Sequence, residues 1–559
     1  MELVLHGHFS PEDRDRDEFP LIPFEVPPGV ARLSVAYEFS RPLSADKAGW
    51  EEGNIVDIGL FDPRGSEFPG GRGFRGWSGT ARREFTLSAT DATPGYLPGP
   101  ILPGTWHILL GLYQLAPEGC DYRITIRLES GVADDAPFPL PCPYDRGSIA
   151  PGPRWFRGDL HAHSHHSDGS APLEDLVAAA RAQGLDFVAV TEHNTVSHLP
   201  ELRRLSSGQP VGAGLAPAPG GQPQWGQPQW GQPQWGQPQG LPLRAPAPSG
   251  QPHGGQPVGA GLAPAPGGQP QWGQPVGAGL APAPQTPAPL LIPGVEISTY
   301  HGHANLWPVT DWADFRCWRD DQMRRIREWA REHGALFSVN HPKDDGPPWA
   351  FGDFFGPDCM EVWGSPWFIS NYQALAVWDS LLREGHRITA VGGSDKHQGP
   401  FTGELGWYEL GTPTTWVWAE ELSIPAIVAG LRAGHVFISE GPAGPLVELT
   451  AEAVDSLTPE NHSCGRRAIM GDELPLPPGA TVRLTCRVRG AAGCLLRLVS
   501  ARRVLQTEIS ADDFTHTWEI LPEGDRYFRP EVIDPPEVPL DEEPAALMMR
   551  AMGNPIYLK

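Results

Sequence analysis

One short segment concentrates the side chains that bind metal ions. Residues 157–170, RGDLHAHSHHSDGS, contain four histidines and two aspartates. A buried imidazole nitrogen without a partner costs about 1–3 kcal/mol, so a folded core does not accept these rings unless they have something to bind. Histidine and carboxylate ligands without a thiolate suit zinc, manganese or iron. The segment therefore predicts part of a metal site, because one loop does not supply a whole one.

Further ligand-type residues follow four later strands. The strands predicted for DFVAVT, PLLIPGVEIST, ALFSV and RITAV lead into TEHN, HGHANLW, NHP and GGSDKH. The loops at the carboxyl ends of barrel strands converge on one mouth, so these motifs are expected to meet. A lone loop histidine is more simply explained by a hydrogen bond, but five strand ends that behave alike favour a metal centre. The candidate ligands are His161, His163, Asp168, His193, Glu296, His301, His303, His341, Asp395 and His397.

The other histidines of this region lack that placement and are interpreted as hydrogen-bonded residues. They are His165, His166, His198, His333, His386 and His435.

Alternating strands and helices must position the ligands. Pro172 lies at the start of a predicted helix with apolar residues at helical spacing, and Gly184 ends it before DFVAVT. Helices predicted over 314–332 and 371–384 are likewise each followed by a glycine and a strand. Repeated βα units predict an α/β fold with a largely parallel sheet or barrel. This domain is assigned to residues 151–207 and 291–445.

Two β-rich regions flank this domain. Residues 1–150 contain segments such as ARLSVAYEF and DYRITIRLE, in which apolar and polar residues alternate between Gly/Pro turns. This pattern predicts an N-terminal β-sandwich-like domain. Residues 446–559 show the same pattern in ATVRLTCRVRG and GCLLRLVSA, which predicts a small β-rich C-terminal domain.

Residues 208–290 interrupt the α/β domain with low-complexity sequence. The segment repeats GQPQW, contains three copies of QPVGAGLAPAP, and has Arg244 as its only charged residue. Such a composition buries too little apolar surface to offset the entropy of ordering. We therefore expect a disordered insertion on a surface loop.

Composition restricts the cellular context and the partners. The formal net charge of −25 argues against extended nucleic-acid binding, which depends on Lys and Arg. The seven cysteines form no Cys-x-x-Cys pair, so disulfides are not expected. No signal peptide or membrane-length apolar run is evident, and the expectation is a cytoplasmic protein without membrane contact.

The ordered motifs carry a family resemblance. DLHAHSHHSDG, TEHN, PGVEIS with HGHANLW, NHP and GGSDKH resemble the PHP (polymerase and histidinol phosphatase) superfamily of metal-dependent phosphoesterases. Within it they look most similar to the branch of carbaryl-hydrolase-like metallohydrolases. The resemblance implies a distorted (β/α)7 PHP barrel, here flanked by β-sandwich-like domains, that holds two or three divalent metal ions (Mn, Zn or Fe).

The resemblance also implies how the ligands divide among the ions. His161 and His163 would bind a first ion with Glu296 and Asp395, and Glu296 would bridge to a second. In this pattern His303 is preferred to His301, because GHANL matches the branch. The second ion would be held by Glu296, His303 and His341, and the third by Asp168, His193 and His397. The aspartate at 168 departs from the histidine that many trinuclear members have.

The function implied is hydrolysis of a small phosphoester, including nucleotide or oligonucleotide ends, by metal-activated water. The alternatives are a carboxylic or carbamate ester hydrolase and a non-catalytic binding protein with an inert barrel. His397 or His193 is the expected proton donor to the leaving group. Lys343 and Lys396 are the nearest cations for a substrate phosphate, and Asn194 and Asn340 are expected to orient neighbouring ligands.

Overall fold

The computed structural model describes most of the chain outside the repeat segment. The described residues are 1–44, 47–49, 51–131, 138, 147–207, 288–344, 347–399, 408–454, 467–536, 538–540 and 544–559. Met1–Gln209 and Thr286–Lys559 form one compact unit. Disorder is predicted for 208–290, and residues 208–287 of that segment lie outside the described ranges. Leu290 already begins a strand.

The amino-terminal region consists of two four-stranded antiparallel sheets. One has the order β1-β8-β3-β6 and the other β2-β7-β4-β5. Both contribute to one core, in which Val35 of the first sheet and Ile58 and Trp106 of the second are buried. The elements are β1 (Glu2–Phe9), α1 (Pro11–Arg16), β2 (Leu21–Val26), β3 (Val30–Phe39), β4 (Ile55–Phe61), β5 (Phe74–Gly79), β6 (Glu84–Ser88), β7 (Gly104–Gln114) and β8 (Cys120–Ser130).

The central region is a mixed α/β sheet with few helices. Its strands follow the order β15-β14-β13-β12-β11-β10-β9-β16-β17. The strands are β9 (Ala150–Asp159), β10 (Phe187–His193), β11 (Leu290–Thr299), β12 (Gly302–Trp307), β13 (Leu336–Val339), β14 (Cys359–Gly364), β15 (Thr389–Gly393), β16 (Thr414–Leu422) and β17 (Val436–Ser439). The helices are α2 (Leu173–Ala182), α3 (Leu199–Ser206), α4 (Asp320–Glu332), α5 (Asn371–Glu384) and α6 (Ile424–Ala433).

Two of the helices predicted from sequence have the expected bounds, and one is shorter. α2 begins directly after Pro172, and α5 occupies the predicted 371–384. The helix predicted over 314–332 begins only at Asp320. The reason is tertiary packing: the buried Arg316 side chain donates to the carbonyls of Ser66 and Glu67 in the amino-terminal region, which holds the preceding residues in an irregular conformation.

The central sheet departs from the repeated parallel pattern at β12. This strand pairs antiparallel with both β11 and β13, whereas β9, β10 and β11 are parallel, as are β13, β14 and β15. Only Tyr300 and His301 separate β11 from β12. A parallel crossover needs a dozen or more residues, so this short connection forces a hairpin.

The hydrogen-bonded ladders leave the central sheet open, and side chains link its edge strand β15 to the interior strand β16 and to Asn554. The Thr415 hydroxyl of β16 accepts from the Gly392 N–H of β15 at 2.8 Å and donates to the Gly392 carbonyl at 2.7 Å. The Asn554 amide bonds both backbone groups of Ala390, at 2.7 and 2.9 Å. The ladders therefore show an open mixed sheet, and closure into a (β/α)7 barrel stays a prediction.

The carboxyl-terminal strands extend the central sheet. β17 pairs with β26, and the order continues through β25 and β22 to β23. A second sheet, β19-β18-β21-β24, shares a core with them that includes Leu449, Leu484 and Leu498. The strands are β18 (Leu446–Val454), β19 (Ala468–Ile469), β20 (Glu473–Leu474), β21 (Thr481–Arg489), β22 (Leu495–Val499), β23 (Val504–Glu508), β24 (Asp513–Ile520), β25 (Tyr527–Ile533), β26 (Met549–Gly553) and β27 (Ile556–Leu558). The proposed boundary at 445/446 stays a prediction.

Two further expectations concern cysteines and membrane segments. Cys120, Cys317, Cys359, Cys486 and Cys494 are free and buried, and the other two cysteines lie outside the described residues. None of the helices in the described ranges has the length and apolar character needed to cross a membrane.

Candidate metal centre

The loop after β9 is held at the end of the sheet by a buried carboxylate. Asp159 accepts the N–H groups of His161, Ser394 and Gly411 at 3.1, 3.0 and 2.7 Å. The chain beyond the strand then bonds the loop after β15, where the Asp395 N–H donates to the His161 carbonyl at 2.8 Å. These bonds bring two predicted ligand loops into contact. The sequence analysis did not identify Asp159, since it reads as the last residue of a strand.

The next two strands place their ligands side by side. His193 is the last residue of β10 and is directly paired with Glu296 of β11 in the parallel ladder. The Nδ1 atom of His193 lies 2.7 Å from Oε2 of Glu296. Glu296 is fully buried, which is unusual for a carboxylate unless charged or hydrogen-bonding partners surround it.

The β11–β12 hairpin selects between the two neighbouring histidines. His303 lies on β12 opposite Ser298, and its Nδ1 is 3.1 Å from Oε1 of Glu296. His301 lies in the turn and bonds Glu18 of the amino-terminal region through Nε2 at 2.9 Å. The structure therefore brings His303 to the cluster and leaves His301 outside it. An antiparallel strand begins at the edge where its neighbour ends, so His303 reaches the same edge as the other ligands.

Three residues at the cluster have a left-handed backbone. His341 has φ of 27°, Asp395 of 52° and Asn194 of 58°. For residues other than glycine this conformation costs on the order of 1–3 kcal/mol. Such strain persists where surrounding contacts over-determine it, and it is typical of functional loops.

Histidine nitrogens converge on the Glu296 carboxylate. Five imidazoles have a nitrogen within 3.7 Å of one of its oxygens. The distances are 2.7 Å for His193, 3.1 Å for His303, 3.4 Å for His161, 3.6 Å for His341 and 3.7 Å for His163. Asp395 contributes a second carboxylate, whose Oδ1 lies 3.2 Å from His161 Nε2 and 3.1 Å from His163 Nε2.

A second group of ligand atoms forms at the more open side. His193 and His397 face each other through Nε2 atoms 3.1 Å apart, and Asp168 Oδ1 lies 3.4 Å from each. The Nδ1 of His397 is 2.9 Å from the Asp395 carbonyl, so Nδ1 carries the proton and Nε2 presents a lone pair. Nδ1 of His193 lies 2.6 Å from the Ser298 hydroxyl and also faces Glu296. Donation from Nδ1 to that hydroxyl favours the same tautomer. Two lone pairs directed at one point suit a cation.

Unsatisfied buried atoms test whether these residues fit a metal. Among the described residues, His161 Nε2, His163 Nδ1 and Glu296 Oε2 are buried without a hydrogen-bond partner. Leaving such atoms unpaired is costly, and a divalent ion would satisfy His161 Nε2 and Glu296 Oε2 directly. The residues therefore fit a metal. The nine predicted ligands fall into overlapping groups that could hold an ion: His161, His163 and Asp395; His161, Glu296 and His341; His193, Glu296 and His303; His163, Asp168, His193 and His397.

The electrostatics of the metal-free cluster couple acid and base. Burial alone would lower the pKa of His193, but the carboxylates of Asp168 and Glu296 raise it to about 10. Burial would likewise lower the pKa of His161, and Asp395, Glu361 and Glu296 together hold it well above its usual value. Protons thus occupy nitrogens that a metal would take.

Glu361 is a buried carboxylate at the cluster that the sequence analysis missed. Its Oε1 accepts from Nδ1 of His161 at 3.0 Å, and its Oε2 accepts the His341 backbone N–H at 3.2 Å. The first bond directs the lone pair of His161 Nε2 into the cluster. The residue lies inside the apolar strand CMEVWG rather than after a strand. An acidic residue in an otherwise buried strand was the available signal.

The segment that carries the first ligands matches a known family. Residues 159–209, which include His161, His163, Asp168 and His193, match the family model of the PHP domain. This segment of the chain is therefore similar to the PHP domain. The assignment to the carbaryl-hydrolase-like branch stays a prediction.

Other comparisons add little. A solved two-domain protein from Bacteroides vulgatus, which contains a predicted PHP-like metal-dependent phosphoesterase, is 16% identical and has a TM-score of 0.33. The alignment covers 70% of this chain and 94% of that chain. At this TM-score the likeness supports no conclusion about fold or function. No curated protein matches the sequence.

The two lysines proposed as phosphate ligands have protein partners. Lys343 Nζ donates to the carbonyls of Gly364 and Ile369 at 3.0 and 2.8 Å and to Asn371 Oδ1 at 3.0 Å. Lys396 Nζ donates to the Tyr408 carbonyl at 2.9 Å and lies over that tyrosine ring. Both lysines are buried. These contacts do not support a substrate-binding role for either ammonium group.

The two asparagines contact the ligand-bearing strands as expected. Asn340 donates from Nδ2 to Glu296 Oε1 at 2.9 Å. Asn194 donates to the Ser298 carbonyl and accepts the Ser298 N–H, at 2.9 and 2.8 Å. Asn340 therefore contacts a ligand directly, whereas Asn194 fixes the backbone two residues beyond Glu296.

Two further histidines, His165 and His166, belong to the loop that carries the first ligands. His166 donates or accepts at Ser197 Oγ and Glu201 Oε2, at 2.9 and 3.0 Å. Its own hydrogen bonds explain its burial, in line with the expectation from sequence. His165, His166 and Glu201 also lie close enough to hold an ion, but the Arg204 guanidinium is 3.9 Å from the Glu201 carboxylate and opposes a second cation.

A cavity of about 210 Å³ opens over the cluster. It is smaller than the roughly 300–1,000 Å³ of typical small-molecule pockets. Its lining consists of six of the nine predicted ligands and five other residues. They are His193, Glu296, His303, His341, Asp395 and His397, with Lys343, Pro347, Gly364, Ser365 and Ile369.

Proposed function

We propose that the chain is a metal-dependent hydrolase that cleaves a small phosphoester with water. The position of Glu296 carries the proposal. Five imidazoles surround its buried carboxylate within 3.7 Å, and its Oε2 has no hydrogen-bond partner among the described residues. A structural carboxylate is satisfied by hydrogen bonds at both oxygens, whereas Oε2 of Glu296 is left for another partner and would suit a bridge between cations.

Two or three divalent ions (Mn, Zn or Fe) are proposed at the centre. His161, His163, Glu296 and Asp395 would hold one, and Glu296, His303 and His341 a second. Asp168, His193 and His397 would hold a third. Such ions supply Lewis acidity and lower the pKa of a bound water. Closure of the central strands into a (β/α)7 barrel belongs to the same proposal, because it would fix the ligand loops around one mouth.

The residues of the chain supply orientation and proton transfer. Glu361 and Asn340 orient His161 and Glu296 through the bonds described above. His397 is the more exposed of the two candidate proton donors, at 23% of its side chain against 18% for His193. We therefore assign proton transfer to the leaving group to His397 in the state in which the third metal site is empty, with Nδ1 anchored on the Asp395 carbonyl and Nε2 carrying the transferred proton.

A substrate panel tests this function. Protein reconstituted with Mn²⁺ or Zn²⁺ is assayed on p-nitrophenyl phosphate, bis(p-nitrophenyl) phosphate and 1-naphthyl carbamate. The proposal expects turnover of a phosphoester that chelation abolishes. Turnover of the carbamate alone would support the ester-hydrolase alternative, and no metal-dependent turnover of any substrate would support the inert-barrel alternative.

A further inference from the structure

Among the described residues, the lining of the cavity beside the cluster offers no Lys or Arg whose N–H donors are available to a second anionic group. Lys343 is the only Lys or Arg among its lining residues in the described chain. Its ammonium group has three donors, and its acceptors are Gly364, Ile369 and Asn371. The three N–H donors at this end of the cavity therefore already bond oxygen atoms of the protein.

The two undescribed segments next to the site in sequence are acidic rather than basic. Residues 345–346 and 400–407 adjoin cavity or ligand residues in sequence, and neither contains Lys or Arg. Residues 400–407 instead contribute Glu404. The low-complexity segment contributes a single cation, Arg244.

The rest of the lining is apolar or already hydrogen-bonded. Pro347 and Ile369 present hydrocarbon, and Gly364 presents backbone. The Ser365 hydroxyl donates to the Ser394 carbonyl at 3.1 Å. A charged group placed against this wall would lose its hydration without gaining a partner, which strongly disfavours binding.

We infer that the cavity selects esters whose only anionic group is the reacting one, with an uncharged remainder that lies against Pro347 and Ile369. This inference rests on the proposed function and narrows it. It disfavours oligonucleotides, nucleoside polyphosphates and bisphosphates, each of which carries a second phosphate away from the reacting centre. A phosphomonoester with a neutral leaving group is the favoured class.

Binding of non-hydrolysable phosphonates tests the inference separately from turnover. The full chain loaded with Mn²⁺ or Zn²⁺ is titrated calorimetrically with phenylphosphonate and with 4-carboxyphenylphosphonate. We expect the neutral-ring ligand to bind at least about tenfold more tightly, because the carboxylate meets no cation. Equal affinities, tighter binding of the carboxylate, or no binding of either ligand would overturn the inference. Absence of phosphoester turnover in the panel above would overturn the proposed function instead.

A charge added to the wall should invert the preference. Ile369→Lys and, independently, Pro347→Lys place an ammonium group beside the remainder of the ligand, and the affinity for 4-carboxyphenylphosphonate should rise at least about tenfold relative to phenylphosphonate. Val504→Lys is the matched control, because it adds the same charge at an exposed apolar residue of β23, outside the cavity lining. Because the two cavity variants are made independently, the test still holds if one of them misfolds. An unchanged preference in a metal-loaded, folded variant would contradict the assignment of the wall.

Discussion

At the scale of single residues, the candidate metal centre is held together by carboxylates that hydrogen-bond to its histidine loops. Glu361 joins two ligands from different loops, because it accepts from the His161 side chain and from the His341 backbone. Asp159 joins the loops after β9 and β15 in the same way. Ligand types were recognisable in the sequence because histidine-rich motifs recur near the carboxyl ends of strands. The roles of these two carboxylates were not, since only the fold shows which backbone groups and rings they meet.

Glu361→Gln tests that role. The amide keeps the shape but presents a donor where either His161 Nδ1–H or the His341 N–H needs an acceptor. We expect metal affinity to fall about 10–100-fold, the usual effect of losing such a partner. Metal titration with elemental analysis is the measurement. Glu448→Gln is the control, because it alters a partly exposed glutamate of the carboxyl-terminal region that accepts a hydrogen bond from Trp155 of β9. Equal metal affinity in both variants would refute the role of Glu361.

The histidine pKa values predict how metal binding depends on pH. Asp168 and Glu296 raise the pKa of metal-free His193 to about 10, so it is protonated near neutral pH, and the neighbouring carboxylates raise the pKa of His161 in the same direction. A metal displaces those protons, and its apparent affinity should rise from about pH 6.5 to about pH 8.5. Calorimetric titration in buffers of different ionisation enthalpy measures the protons released. Metal binding without proton release would show that the ion does not displace protons from these imidazoles.

At the scale of secondary structure, local signals predicted three of the helices and missed the hairpin. Glycine after the helix and helical spacing located α2 and α5, which are local features. The antiparallel direction of β12 depends on the length of a turn, and the late start of α4 depends on contacts of Arg316 with the amino-terminal region. Non-local contacts of that kind leave no periodic pattern in the sequence.

At the same scale, the Thr415 hydroxyl links the interior strand β16 to the edge strand β15 of the central sheet. Thr415→Val keeps the shape and leaves the buried N–H and carbonyl of Gly392 without this partner. The free energy of unfolding should fall by about 1–3 kcal/mol. Urea denaturation of this variant beside Thr507→Val, a swap on the peripheral strand β23, gives the comparison. Equal stability of the two variants would mean that the link contributes nothing.

At the scale of the whole molecule, the flanking β-rich regions support the ligand loops. The Arg82 guanidinium of the amino-terminal region donates to the carbonyls of His165 and Ser167, and Tyr300 beside the β12 hairpin donates to Asp57 at 2.7 Å. On the other side, β17 pairs with β26, so the carboxyl-terminal sheet continues the central one. Sequence patterning predicted both β-rich regions, but their contacts with the ligand loops join distant segments and were not predictable.

The repeat segment is expected to be dispensable for the centre. Its composition predicts little folding energy, so replacing 208–287 by a short Gly/Ser linker should leave metal content and Tm nearly unchanged. Scanning calorimetry and elemental analysis of the two proteins provide the readout. A large drop in Tm, or loss of bound metal, would show that the segment stabilises the fold.

The central claim is that Glu296 bridges ions held by the surrounding histidines. Elemental analysis of reconstituted wild type, Glu296→Gln and His397→Ala tests it most directly. The account predicts at least two divalent ions per chain in the wild type, loss of both together in Glu296→Gln because a shared negative charge is removed, and retention of most metal in His397→Ala, which touches only the third group. A wild type that binds no metal after reconstitution, or two variants that lose metal to the same extent, would contradict it.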